Sequence, residues 1–331
     1  MRFIIALTIL FSNAALADDP ATIKRPKDDR ATITIVSEND YFAGYDDGYT
    51  NGFRVSWLSA ETEIPWWIDE FSYHMPFFTY EGNKRYSFSV GQTMYAPNDL
   101  SIKALQKNER PYAGFLFGTI GLTSDTGYRL DNLQLTIGIV GESALAAQTQ
   151  DAVHNLLDAQ DPQGWDNQLK DELGINLSYE RKWRGLYEFT PFGWGADITP
   201  HIGATIGNVN THTNLGATVR LGYDLPSDYG PPLIRPSLPG SDFFNPSENL
   251  AWYIFAGAEG RAVAHNIFLD GNSFKNSHSV DKEILVGGLQ AGLVFTYDNI
   301  RLSYTHVLRT KEYKLQPNNE QFGAITLSFK Y

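Results

Sequence analysis

Two groups of residues in this chain have the types and spacing that chemistry needs. The first is Gln150 and His154, four apart in the segment 142–158, ESALAAQTQDAVHNLLD. That segment is rich in Ala, Leu and Gln, has no interior Gly or Pro, and predicts an amphipathic helix of about four turns. Leu145, Ala152, Val153, Leu156 and Leu157 fall near one side of it, and residues i and i+4 share a face. Histidine is the side chain best suited to act as a general base near neutral pH. The same spacing also describes a histidine on a solvated loop helix. The second group is Glu38-Asn39-Asp40-Tyr41, where Asn39 and Asp40 offer hard oxygen ligands of the kind calcium takes. Asn-Asp after a strand is equally a turn signal. Asp46-Asp47-Gly48 reads as a hairpin turn, and Tyr49-Thr50-Asn51-Gly52 opens the next strand, so the hairpin would bring Asn39, Asp40 and Thr50 to one rim. There is no G-x-S-x-G string and no P-loop, so a serine nucleophile has no motif behind it.

The elements that must position these residues are strands. In the C-terminal stretch, Gly323, Ile325, Leu327, Phe329 and Tyr331 share one parity, and Ala324, Thr326, Ser328 and Lys330 the other. That period of two gives one lipid-compatible face and ends on an aromatic residue. The pattern recurs at 51–58, 86–92, 132–139, 174–180, 289–297 and 301–308, and less cleanly at 31–38, 113–123, 198–208, 214–223, 250–260 and 262–269. Single-chain bacterial barrels use an even number of strands, so twelve are expected. The segment 225–249 carries six prolines with Gly, Ser, Asp and Asn, and predicts a long irregular loop, expected on the extracellular side where such loops mostly lie.

The N-terminus has the layout of a secretory signal: Arg2, the apolar run from Phe3 to Phe11, and Ala15-Leu16-Ala17 before Asp18. Cleavage would leave 18–331 as one barrel domain, with no domain boundary visible. The apolar run is too short for a membrane helix, which needs roughly 20 residues. The formal charge of −12 argues against a nucleic-acid partner. With no cysteine there is neither a disulfide framework nor a thiolate metal site. Aromatics at 14%, rich in Tyr and Phe, suit the girdles of an outer-membrane barrel. The expected fold is therefore all-β: a transmembrane antiparallel barrel of about twelve strands in a bacterial outer membrane, with one loop helix on its extracellular side.

Three more strings are unusual for plain barrel wall: Gly91-Gln92-Thr93-Met94-Tyr95-Ala96-Pro97, Arg110-Pro111-Tyr112-Ala113-Gly114, and Gly164-Trp165-Asp166-Asn167-Gln168-Leu169. A loop with Lys103 and Lys107 follows the first. Taken in order with the two groups above, they resemble the outer-membrane lipid A 3′-O-deacylase family, through motifs over about 30–185 and as barrel pattern to the end. The resemblance implies a calcium-dependent hydrolase that removes the acyloxyacyl group from the 3′ position of lipid A. It implies a site at the extracellular rim, between the wall and a loop helix. It places the histidine base on His154, the glutamine one turn earlier on Gln150, the Asn-Asp pair on Asn39 and Asp40 as metal ligands, and the rim threonine on Thr50. The substrate-binding lysine falls on Lys103 rather than Lys107, in a loop of different length. Some members have a second Asp where this chain has Tyr41. Lipid A in the outer membrane is the implied partner, met by a monomer. A passive pore or structural barrel, and an esterase with a Ser-His pair, are the other two readings.

Overall fold

The computed structural model describes residues 27–43, 51–75, 78–157, 162–185, 188–189, 193–234 and 241–331. The signal segment 1–17 lies outside them, as do Thr50 and the cluster Asp46-Asp47-Gly48.

Twelve long strands form the wall: β1 (Thr32–Asn39), β2 (Asn51–Leu58), β3 (Asn83–Tyr95), β4 (Ala113–Asp125), β5 (Arg129–Val140), β6 (Glu172–Trp183), β7 (Trp194–Gly207), β8 (Asn210–Tyr223), β9 (Ser247–Asn266), β10 (Leu285–Asp298), β11 (Ile300–Arg309) and β12 (Glu320–Lys330). A two-residue strand, Glu188–Phe189, flanks β7. Each long strand pairs antiparallel with its sequence neighbours, and β12 returns to β1 with Thr32 opposite Lys330 and Asn39 opposite Gly323. The sheet is thus a closed up-and-down barrel, which leaves no unpaired edge in lipid. Among the described residues no helix is long and apolar enough to cross a membrane. The two weak candidates 250–260 and 262–269 are one continuous strand, β9, with Ile267–Asp270 closing as a helical turn. That merger brings the count to twelve.

Alternation sets the two faces. Outward positions are apolar and exposed, such as Phe88, Ile120, Leu177, Leu302 and Ile325. Inward positions are buried and mostly polar, with an apolar cluster that includes Val36, Phe115, Phe117 and Phe322. Two of the three shortest connections, 126–128 and 299, lie at the end that carries both chain termini, where Ala31 N–H donates to the Tyr331 carbonyl at 3.0 Å, and the third, 208–209, lies at the other rim. Short turns face the periplasm, so the opposite rim is extracellular.

The Pro-rich loop departs from expectation. It joins β8 to β9 at the periplasmic end, and its described part folds into the lumen. Arg54 on the inner wall makes a two-pronged pair with Asp242 at 2.9 and 3.0 Å. Asp228 takes Arg220 at 2.5 Å and Arg301 at 3.4 Å. The Ile234 N–H donates to Glu38 Oε1 at 2.6 Å. A segment dense in proline cannot donate a full strand ladder. Its carboxylates instead neutralise the lumen arginines Arg54 and Arg301 and add a second partner to Arg220, which also pairs with Asp197 on the wall. The extracellular half is closed by a second charge network, with Arg110 on Glu312 at 2.8 Å and Arg309 on Glu320 at 3.0 Å, beside Tyr95 stacked on Phe268 at 4.1 Å.

Two helices sit on this wall. α1 (Trp66–His74) lies in the connection 59–82 and has no counterpart in the sequence reading. α2 (Ala146–Leu157) lies in the extracellular connection 141–171 and is shorter than the expected 142–158. Gly141 adopts φ +111° and Leu145 a left-handed φ of 59°, and Glu142–Ala144 forms a separate 3-10 turn. Leu145 therefore stands outside the helix and is exposed, not on its apolar side. Ala152 is exposed and Val153 half-buried. The side chains of Leu156 and Leu157 lie outside the described residues.

Candidate active site

Register assembles the rim. Asn39 pairs with Asn51, Asn51 with Met94, and Met94 with Gly114, so these residues form one row across β1, β2, β3 and β4. Each has the parity of the exposed apolar residues of its own strand. The row therefore lies on the outer face of the wall, at the extracellular end. Three strand spacings separate Asn39 from Gly114, about 14 Å.

α2 docks on that outer face. A Cβ on Gly114 would stand 2.5 Å from the Ala146 Cβ, so glycine is what lets the helix come so close. Gln92, also outward, donates from Nε2 to the Ala144 carbonyl at 2.6 Å. Met94, Ala96, Tyr112, Ala146 and Trp165 pack together and bury the contact. Burial pushes the Tyr112 phenol up to about 12. The entry to α2 is clamped by Asp171, which accepts the Ser143 N–H at 2.8 Å and its hydroxyl at 2.5 Å. Those two bonds hold the Asp171 carboxyl below its ordinary range. A Cβ at Gly141 would strike the Asp171 backbone nitrogen at 2.6 Å, so the turn needs glycine for space as well as for φ.

Ala146, Gln150 and His154 form one stripe at i, i+4 and i+8 on the docked side. Gln150 is buried and His154 half-buried. The Gln150 carbonyl oxygen accepts the Trp165 indole N–H at 2.8 Å. An indole nitrogen can only donate, so the amide oxygen must face it and the amide NH₂ must point away. That NH₂ is buried and has no hydrogen-bond partner among the described residues. A buried donor left unmade is costly, of order 1–3 kcal/mol, so this NH₂ is open to an acceptor.

Lys103 comes to the same corner. The loop 96–112 is stitched to the Trp165 segment by Gln163 N–H on the Leu100 carbonyl at 2.8 Å and Asn167 Nδ2 on the Lys103 carbonyl at 2.8 Å. The Lys103 ammonium lies 3.5 Å from Asp166, one residue from Trp165, with both side chains exposed. Lys107 is also exposed. At the other end of the row, Asn39 Oδ1 and Asp40 Oδ1 accept the same Tyr41 N–H at 2.7 and 2.8 Å. Those two oxygens share that N–H here; an amide and a carboxylate oxygen are ligands of the kind a hard cation takes. Among the described residues no cluster of three or more His, Asp or Glu side chains could hold a metal. Further oxygens for a cation here would come from backbone carbonyls, residues 44–50, water or substrate. In the sequence Trp165 stands only as part of the string Gly164 to Leu169. Its hydrogen bond to Gln150 joins residues fifteen positions apart that no periodicity links.

A family model described as outer membrane protein LpxR matches residues 3–331. The chain belongs to the LpxR family. The solved LpxR from Salmonella typhimurium superposes with a TM-score of 0.72 at 20% identity, over 90% of this chain and 99% of that one. A likeness at that identity concerns the fold, and it is the same closed twelve-stranded barrel. The β domain of the Bordetella autotransporter BrkA gives a TM-score of 0.43 at 10% identity, over 92% of this chain and 99% of that one. The search of curated proteins returned no match. Membership of the LpxR family sets the barrel in a bacterial outer membrane.

Proposed function

We propose that this protein is a calcium-dependent lipid A 3′-O-deacylase, cleaving the ester that holds the 3′-linked acyloxyacyl group. The observation that carries the proposal is the stripe of Gln150 and His154 on a helix docked against the outer wall beside the row of Asn39. The stripe from Ala146 to His154 is about 12 Å long at 1.5 Å per residue. That nearly matches the span from Gly114 back to Asn39. A site on the outside of the barrel receives a lipid sideways from the outer leaflet, with no passage through the lumen.

In this reading His154 takes a proton from a water molecule, and the resulting hydroxide adds to the ester carbonyl carbon. The C–O bond to the sugar then breaks, and the leaving sugar oxygen takes the proton back from His154. The free carboxylic acid and the 3′-hydroxyl are the products. The Gln150 NH₂, held outward by Trp165, donates to an oxygen of the ester. Lys103 meets a lipid A phosphate as a point charge. Asn39 and Asp40 would hold calcium, and Thr50, the residue before Asn51 in the sequence, is the rim threonine that the resemblance implies. The ion would supply Lewis-acid stabilisation of the charge that develops on the ester oxygen.

Mass spectrometry of lipid A incubated with purified protein tests this directly. The expected product lacks the 3′ acyloxyacyl group, and a chelator stops its formation until calcium is restored. His154→Ala should leave a folded barrel with activity reduced about 10²–10⁴-fold, the usual worth of a general base. Full activity in that variant would sink the assignment, and indifference to chelation would remove calcium from it. The lumen is obstructed at one end by the described part of the 224–246 segment and crossed toward the other by the Arg110–Glu312 and Arg309–Glu320 pairs, which speaks against a passive pore.

A further inference from the structure

Helix α1 lies at the end of the barrel away from the rim site. Its buried residue Ile68 joins Phe78 and the partly buried Ile64 and Met75 in packing on Leu122, Tyr86, Leu133 and Tyr179. These four wall residues form one row, since Tyr86 pairs with Leu122, Leu122 with Leu133, and Leu133 with Tyr179. They have outward parity, so α1 hugs the outside of the barrel. The next outward row, Phe88, Ile120, Leu135 and Leu177, is paired in the same way and is 38–55% exposed. It starts two residues, about 7 Å, further from the periplasmic edge. The helix is fixed in place by Lys84, whose ammonium reaches Asp69 at 2.8 Å and the Tyr80 carbonyl at 2.9 Å.

The side of α1 turned away from the wall is aromatic. Trp66 is 79% exposed and Tyr73 64%, with Trp67 and Phe71 also open. Glu70 and His74, 3.7 Å apart, share that arc. A mixture of Trp, Tyr and charge suits the headgroup level of a bilayer, where an amphipathic ring has one wet and one apolar end. The wall continues the same girdle at this end: the Trp57 indole donates to the Tyr331 hydroxyl at 3.0 Å, and Tyr331 stacks on Phe329. A helix packed one row below lipid-covered wall borders the membrane on its free side.

We infer that α1 is an interfacial anchor. Its Trp66, Trp67, Phe71 and Tyr73 lie among the headgroups and upper acyl chains of the periplasmic-side phospholipid leaflet. The anchor rests on the barrel fold alone and is independent of the proposed activity.

The chain has no cysteine, so single substitutions can be spin-labelled without background. Trp67→Cys, Phe71→Cys and Tyr73→Cys would carry a nitroxide in vesicles of phosphatidylethanolamine and phosphatidylglycerol. Phe88→Cys on the wall and Lys107→Cys on an extracellular loop are the references, and heat-modifiable gel migration checks the fold of each. Collision with oxygen relative to a water-soluble nickel chelate reads the depth. The expected ratio at 67 and 71 is several-fold above that at 107 and below that at 88. A ratio equal to that at 107 would place α1 in water and overturn the anchor. Protection from both reagents would mean a protein cover and overturn it too.

Discussion

A single N–H fixes which way Gln150 presents its amide. Replacing Trp165 with Phe keeps a six-membered ring against Tyr112 but removes the donor together with part of the indole's volume. The lost bond is worth about 1 kcal/mol, so the amide flips and kcat should fall roughly five-fold with KM little changed. Steady-state kinetics on lipid A check this, and unaltered kcat would mean that the orientation of the amide is irrelevant. Gln150→Glu is the sharper variant, because it keeps the shape and replaces the orphaned donor by an acceptor. It should lose more activity than Trp165→Phe while the barrel stays folded.

At the scale of elements, the site exists because α2 approaches the wall at a glycine. Gly114→Val should lift the helix from the outer face and abolish deacylation, with heat-modifiable migration of the barrel unchanged. Wild-type activity in that variant would show that docking is not required. The clamp of Ser143 on Asp171 has a defined pH behaviour. The folded carboxyl lies below its ordinary value, so the clamp contributes stability above that value and loses it as the pH falls through the folded one. Limited proteolysis near 141–145 should be constant from about pH 5 to 8 and accelerate only in stronger acid. Asp171→Asn should be susceptible at every pH.

For the whole molecule, a filled lumen has electrical and energetic consequences. The protein in a planar bilayer should carry no steady conductance. Asp228→Ala removes the partner shared by Arg220 and Arg301; Arg220 keeps Asp197, but the buried Arg301 is left without a carboxylate, at a cost of about 3–5 kcal/mol. The heat-modification temperature of that variant should drop markedly, and an unchanged value would mean that the loop 224–246 contributes nothing to the wall it fills.

Strand alternation alone was enough to place lipid on one side of segments such as 132–139 and 323–331, because a period of two is a local property of the chain. The class of fold, the loop helix, and the pairing of Gln150 with His154 on one face follow from equally short-range spacing. The orderly motifs carried the family. What remained hidden depends on contacts between distant residues. The Pro-rich segment reads as a loop, but its inward fold is decided by Arg54, Arg220 and Arg301, whose burial demands carboxylates. Leu145 looks helical until Gly141 and Asp171 force the turn before it. The two segments of β9 merge because β8 pairs with it from Trp252 to Asn266 and β10 from Ser247 to Ala262, so the ladders run unbroken across the junction at residue 261. Only register, set by the closed wall, aligns Asn39 with Asn51, Met94 and Gly114, and so brings an oxygen pair and a helix to the same outer rim.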